Sequence, residues 1–125
     1  MTGADLFTSF RRAEMLVASS RPLDALQALA PVLESRPDDA SVQLLAGRAY
    51  LNSAQLSRAE EAFIRVLDLD PADHYARFAL GKALQRQGRL QQAHAQLKMA
   101  AVMDPRPEYQ EALGEVRARM ALEDD

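Results

Sequence analysis

The sequence contains no cysteine, and of its 15 basic residues only Lys82 and Lys98 are lysine. Without cysteine the chain can form neither a disulfide nor a thiolate metal site. The two histidines, His74 and His94, lie far apart in the sequence, and no close set of carboxylates completes the spacing of a metal site. We therefore expect no metal and no cofactor, and polar surface positions for both histidines.

Long apolar runs are also missing, since none approaches the roughly 20 residues that span a bilayer. Residues 1–5 lack a basic region followed by an apolar stretch, so neither a secretory signal nor a membrane contact is expected, and the cytoplasm is the expected location. The net charge of −3 does not favour nucleic acid. The five glycines are dispersed, so no phosphate-cradling loop is present and an enzyme is not expected.

Three prolines, Pro37, Pro71 and Pro105, are equally spaced along the chain. Their period of about 34 residues is typical of a helix–turn–helix unit stacked on copies of itself. With 125 residues, of which 48% are apolar, the chain suits one domain over residues 1–125. The repeated segments are 6–39, 40–73 and 74–107.

Small and bulky residues recur at the same positions of the three segments. Small residues at facing positions let two helices approach to about 8–10 Å, and bulky residues fill the gaps beside them. The small columns are Ala13, Gly47 and Gly81, and Ala25, Ala59 and Ala93, and the bulky column is Leu29, Phe63 and Leu97.

The pattern predicts seven helices, at 3–19, 22–35, 39–53, 56–69, 72–87, 90–103 and 107–122. Pro31 falls inside the second helix and predicts a kink, because proline lacks the amide hydrogen that would bond to residue 27. Glu61 and Arg65 predict an ion pair within the fourth helix. The last helix carries Leu113 and Val116 on one side, which predicts a cap for the open end of the stack. Residues 123–125 are expected to fray.

The repeats resemble the tetratricopeptide repeat family. The best copy carries Leu80-Gly81, Leu84, Gly88, Leu90, Ala93, Leu97, Ala100 and Asp104-Pro105. The second copy departs at Gln43, and at Ala54 where the family often has glycine. The resemblance implies an all-α fold, a right-handed α-solenoid of three helix–turn–helix repeats plus a capping helix. It also implies that the first helix of each pair lines a concave groove, and that the protein binds peptides or proteins and is not an enzyme.

A second stripe runs along each first helix, one position on from the packing columns and rotated by roughly 100°. In the family this stripe is the groove. Aromatic anchors with cations are the composition of a binding hot spot. The predicted groove residues are Phe7, Phe10, Leu44, Arg48, Tyr75, Phe78, Lys82 and Arg86. The competing interpretations are packing between repeats, favoured for Leu44, and solvated surface, favoured for the three cations.

The leading functional hypothesis is an adaptor or scaffold that binds a protein or peptide carrying apolar and acidic or carboxylate groups. Some family members hold chaperone tails with lysine, asparagine and arginine. Here Phe10, Glu14, Leu45, Tyr75 and Ala79 occupy those positions, which disfavours that partner. The alternatives are a self-associating structural subunit and, less favoured, an RNA-binding helical repeat.

Overall fold

The computed structural model of the chain describes residues 2–123, and these residues fold entirely into helices joined by short turns. The helices are α1 (Gly3–Ala18), α2 (Pro22–Ser35), α3 (Ala40–Asn52), α4 (Leu56–Leu69), α5 (His74–Arg86), α6 (Leu90–Met103) and α7 (Pro107–Glu123). Every helix end lies within two residues of its predicted position. Fraying is wrong for Glu123, the last residue of α7, while Asp124 and Asp125 lie outside the described residues.

Side-chain caps begin α1, α3 and α5. The Thr2 hydroxyl accepts from the Asp5 amide, and the Asp5 carboxylate accepts from the Thr2 amide. The Thr2 hydroxyl also donates to the Asp5 carboxylate, and this bond, with the one from the Thr2 amide, lowers the pKa of Asp5 below its usual value. Asp39 caps α3, and its hydrogen bond from the Ser41 hydroxyl lowers the pKa of the carboxyl. Asp73 accepts from the Ala76 amide. Each first helix of a pair therefore has a fixed start.

The turns inside the three hairpins repeat one backbone conformation. Ser20, Ala54 and Gly88 follow one another at the same interval as the three prolines, and their φ values are 60°, 60° and 76°. Glycine adopts this left-handed region freely, whereas other residues are strained there. The sequence departure at Ala54 has therefore left the shape of the turn unchanged.

The helices form two layers, and the helices of the inner layer lie closer together than those of the outer layer. Among residues 2–123, the inner helices contact one another in succession, α1 with α3, α3 with α5 and α5 with α7. The outer helices α2, α4 and α6 contact only inner helices. Because the inner helices are closer together than the outer ones, the inner layer lies on the concave side of the stack. The predicted groove residues all belong to α1, α3 and α5.

Two clusters of buried side chains hold the hairpins together, one centred on the first hairpin and one on the last two. The small-residue columns lie where helices touch. A Cβ atom on Gly47 would be 2.5 Å from Cε1 of Phe63, and one on Gly81 would be 2.6 Å from Cγ of Leu97. Helix α2 runs without a break through Pro31, and the bend there stays a prediction.

The prediction of an ion pair between Glu61 and Arg65 is wrong. Arg65 instead pairs with Asp38, which lies in the connection between α2 and α3. Sequence spacing identifies neighbours on one helix, but the fold brings a second carboxylate to the same guanidinium. This pair joins the second hairpin to the connection that precedes it.

Candidate functional site

An open cavity of about 350 Å³ lies at the first end of the inner layer, between the start of α1, the end of α2 and the start of α3. Phe7 and Phe10 form its aromatic wall, and Phe7 is 66% exposed. Its other walls include Leu6, Val32, Arg36, Asp39, Ser41 and Val42. The structure thus brings two predicted groove residues together at one apolar site.

The middle of the inner layer carries Leu44, Arg48 and Tyr75. Leu44 and Tyr75 are half-buried and pack against the same core cluster. Arg48 is exposed. Burial raises the pKa of the Tyr75 hydroxyl, and the nearby guanidinium of Arg48 acts in the opposite direction. The phenol therefore stays neutral at physiological pH beside a positive charge.

Phe78 lies at the other end of the inner layer, where its ring stacks on that of Tyr109 from α7. The two ring centroids are 4.6 Å apart, with the planes at 24°. Tyr109 is 0% exposed. One face of a predicted groove residue is thus covered by the chain's own last helix.

A hydrogen-bonded chain fixes the Tyr109 hydroxyl. Nδ1 of His74 lies 2.8 Å from that oxygen, and Nε2 of His74 lies 3.2 Å from Oδ2 of Asp104. A neutral imidazole that donates from Nε2 to the carboxylate accepts a hydrogen bond from the tyrosine hydroxyl at Nδ1. His74 is therefore a half-buried structural residue, and the prediction of a surface histidine is wrong for it.

Tyr109 is the residue that reasoning from the sequence missed. The final helix was aligned through Leu113-Gly114, which falls one position short of a full repeat period after Leu80-Gly81. Tyr109 itself follows Tyr75 by a full period and so keeps the register of the repeats. The signal was present, but it belonged to a different column from the one used for the alignment.

The three predicted cations have different surroundings. Arg86 is exposed, yet its Nη1 donates to the carbonyl oxygen of Leu51 at 2.9 Å, which ties α5 to the end of α3. Arg48 and Lys82 take part in none of the ion pairs among residues 2–123. These two side chains can therefore pair with a carboxylate without breaking an internal ion pair.

The structure places the chaperone-clamp positions in apolar or internally paired surroundings. Leu45 and Ala79 are buried, and Phe10 and Tyr75 are half-buried. Glu14 pairs with Arg11 at 3.3 Å. These side chains do not supply the donors with which such a clamp holds a terminal carboxylate.

Residues 2–123 contain no group of three or more His, Cys, Asp or Glu side chains placed to hold a metal ion. Over the same residues, no helix combines the length and the apolar character needed to cross a membrane.

Several solved structures have the same fold. The first domain of Spaghetti (RPAP3), bound to the HSP90 peptide SRMEEVD, superposes with a TM-score of 0.87 at 13% identity, covering 97% of each chain. The second such domain of human RPAP3, in complex with the HSP70 peptide SGPTIEEVD, gives 0.83 at 16% identity, covering 91% of this chain and 96% of that one. MamA gives 0.87 at 17% identity, covering 96% of this chain and 71% of its own.

No curated protein sequence matches the chain significantly. A family model does: the model described as "Tetratricopeptide repeat" matches residues 16–73 and again residues 55–116. Together the two matches cover most of the chain, in agreement with the all-helical architecture and with the structural neighbours. The chain belongs to the tetratricopeptide repeat family.

Proposed function

We propose that this protein is an adaptor that binds a segment of another protein along the concave face of its inner helices. The proposed groove residues are Phe7, Phe10, Leu44, Arg48, Tyr75, Phe78, Lys82 and Arg86. The observation that carries the proposal is the aromatic wall of exposed Phe7 and half-buried Phe10 on the same layer as Arg48 and Lys82. Aromatic anchors provide contact area, and cations beside them steer and select an acidic partner.

The structural neighbours support the class of partner but not its identity. The peptides named with the two RPAP3 domains are acidic, and the groove proposed here carries cations for which acidic groups are complementary. The chaperone tails themselves are not proposed, because the clamp positions hold apolar or paired side chains. An acidic segment with apolar side chains fits this groove better.

The test is affinity capture from extract of the native cells, analysed by mass spectrometry. The variant Arg48→Glu/Lys82→Glu reverses the two unpaired inner charges, and we expect it to lose the captured partner. The matched control Arg58→Glu/Lys98→Glu makes the same charge change at exposed positions of the outer helices α4 and α6. If both variants retain the same partner, the groove proposal is wrong.

A second test of the proposed groove concerns its aromatic residues. Phe10→Ala should weaken a captured partner by about 2 kcal/mol if Phe10 is a hot spot. Phe78→Ala is the less clean substitution, because it also removes the ring that stacks on Tyr109. Isothermal calorimetry with the purified partner gives the affinity, and circular dichroism shows whether the fold is intact.

Self-association is the second candidate function, because α6 exposes Met99, Val102 and Met103 at helical spacing on the outer layer. Exposed apolar patches of this kind mark contact surfaces. Light scattering over a concentration series should then show a dimer that Val102→Glu dissociates. A strict monomer at all concentrations would remove this candidate.

The remaining features of the proposal come from the sequence. They are a single domain over 1–125 with repeats at 6–39, 40–73 and 74–107, a right-handed stack, cytoplasmic localisation and no catalytic activity. RNA binding is not proposed, since the net charge is −3.

A further inference from the structure

One residue in the first turn of each of the inner helices α3, α5 and α7 recurs, with its neighbours, at three junctions of the stack. Ser41 near the start of α3, Tyr75 near the start of α5 and Tyr109 near the start of α7 follow one another at the repeat period. Each of these residues meets the hairpin that precedes it. The three junctions are therefore copies of one another, and their contents can be compared position by position.

The last junction is filled by the chain itself. Tyr109 enters it, stacks on Phe78 and hydrogen-bonds to His74. Tyr75 is the aromatic residue at the middle junction, where it is half-buried against the core. Of these two tyrosines, Tyr109 is the one whose contacts show its ring closing a junction.

The first junction has a phenylalanine at the same position as the last junction but no ring beside it. Phe10 holds the position of Phe78, two periods earlier, and Ser41 holds the position of Tyr109. Serine has no ring, and the cavity of about 350 Å³ lies where the ring would be. An enclosed apolar cavity of about 150 Å³ holds benzene, so this larger, open cavity has room for a phenyl ring.

Two further differences between the first and last junctions indicate which ring fits the first one. Leu6 stands where His74 stands at the last junction, so the partner of a tyrosine hydroxyl is replaced by an apolar side chain. Arg36 stands where the last junction has Asp104, so this one position carries a positive instead of a negative side chain. Arg36 is only loosely paired, at 3.9 Å from Asp39, whose carboxylate caps α3.

A second copy of this chain is a poor source of the ring. All seven aromatic residues lie within residues 2–123, and the large apolar side chains that remain exposed there include only one aromatic, Phe7. Phe7 is itself a wall of the cavity, and inserting its ring into a second copy would remove that wall. We therefore place the ring on a different polypeptide.

We propose that this cavity is a receptor for one phenylalanine side chain, carried by a different protein with a carboxylate close to the ring. The proposal rests on the adaptor function and names the chemistry of the partner at one end of the groove. The ring takes the place that Tyr109 holds at the last junction, and the carboxylate pairs with Arg36.

Nuclear magnetic resonance titration of the full chain tests this with three probes, N-acetyl-phenylalanine, N-acetyl-phenylalaninamide and N-acetyl-leucine. We expect saturable shifts of the Ser41 and Val42 amides with the first probe. Removing the carboxylate should weaken binding about threefold, and removing the ring about fivefold. Arg36→Gln should abolish the difference between the acid and the amide.

The variant Ser41→Tyr supplies the missing ring within the chain. We expect it to raise the thermal midpoint by about 3 °C or more and to abolish the shifts caused by N-acetyl-phenylalanine. Ser57→Tyr is the matched control, because Ser57 is also the second residue of its helix, is exposed, and lies on the outer layer. It should leave both the midpoint and the binding as they are.

Two results would overturn the receptor: no saturable shift in the unaltered protein, or equal binding by the Ser41→Tyr variant. Neither would touch the adaptor function, since a segment can lie along Arg48 and Lys82 without placing a ring in the cavity. Conversely, a functional cavity with unchanged partner capture by Arg48→Glu/Lys82→Glu would leave the receptor standing and remove the groove. The two proposals therefore fail separately.

Discussion

The first and last junctions of this stack carry a phenylalanine at the same position, Phe10 and Phe78, and differ in what lies beside it. At the last junction Tyr109 closes the space, with its ring on Phe78 and its hydroxyl on His74. At the first junction Ser41 leaves the space open beside Phe10. The exchange of tyrosine for serine at this position thus underlies the proposal that the first junction receives a ring from another molecule.

Removing the ring from the closed junction should produce the largest difference. Tyr109→Ala takes away a fully buried side chain, and we expect it to lower the free energy of unfolding by about 3–5 kcal/mol. Leu122→Ala, at an exposed position on the same helix, should change it by less than about 0.5 kcal/mol. Urea denaturation measures both. Equal effects of the two variants would mean that α7 does not close the stack.

The small-residue column gives a second contrast between the two ends. Ala13 is fully buried with its Cβ atom accommodated, whereas a Cβ atom on Gly81 would meet Leu97. Gly81→Ala should therefore destabilise the protein by about 1–3 kcal/mol. Gly114→Ala is the control, because it has nothing within 4 Å and should stabilise by up to about 1 kcal/mol. Thermal unfolding gives the sign, and the same sign for both would contradict the close approach.

The hydroxyl of Tyr109 tests the polar half of the closed junction. Tyr109→Phe keeps the ring and loses the hydrogen bond to His74, and we expect a loss of about 1 kcal/mol at neutral pH. Burial raises the pKa of this tyrosine, so the neutral form is favoured in the folded state. Its contribution is complete below the unfolded pKa near 10 and is lost as the pH rises through the folded pKa.

Unfolding measured by urea between pH 8 and pH 11 should accordingly show a fall in stability at alkaline pH that Tyr109→Phe reduces. Part of the fall should remain in the variant, because burial also raises the pKa of Tyr75. An identical pH profile for the two proteins would show that the hydroxyl is not held as described.

The hairpin turns should give the smallest effect. Ala54 adopts the same positive φ as Gly88, at the cost of strain that glycine avoids. Ala54→Gly should therefore stabilise by about 0.5 kcal/mol, and Gly88→Ala, which meets no neighbouring atom, should destabilise by about 1 kcal/mol. Differential scanning calorimetry of both variants separates the two signs. Destabilisation by Ala54→Gly would contradict the strain.

The helices were predictable because they follow from local, periodic features. The evenly spaced prolines locate the connections, and acidic residues such as Asp39 and Asp73 start the helices that follow. The glycine columns identify where paired helices touch, which Gly47 and Gly81 confirm. Each of these signals acts within one helix or turn and recurs from repeat to repeat.

The contacts that define the candidate site were less predictable, because they join residues far apart in sequence. His74 was interpreted as a surface residue, yet it bonds to Tyr109 on the next inner helix. The bond from Arg86 to the Leu51 carbonyl likewise joins two successive inner helices. Side-chain rotamers choose such partners, and periodicity says nothing about rotamers. The open cavity beside Phe10 was not predicted, because what leaves it open is that Ser41 carries no aromatic ring.

The inner helices lie closer together than the outer helices, and this difference has a mechanical consequence. Since α2, α4 and α6 lie farther from one another than the inner helices do, a change in the curvature of the stack alters the outer spacing more than the inner spacing. The contacting helices α1, α3, α5 and α7 then form the axis about which the outer helices move apart or together. The concave face widens or narrows in this way without any helix having to unfold.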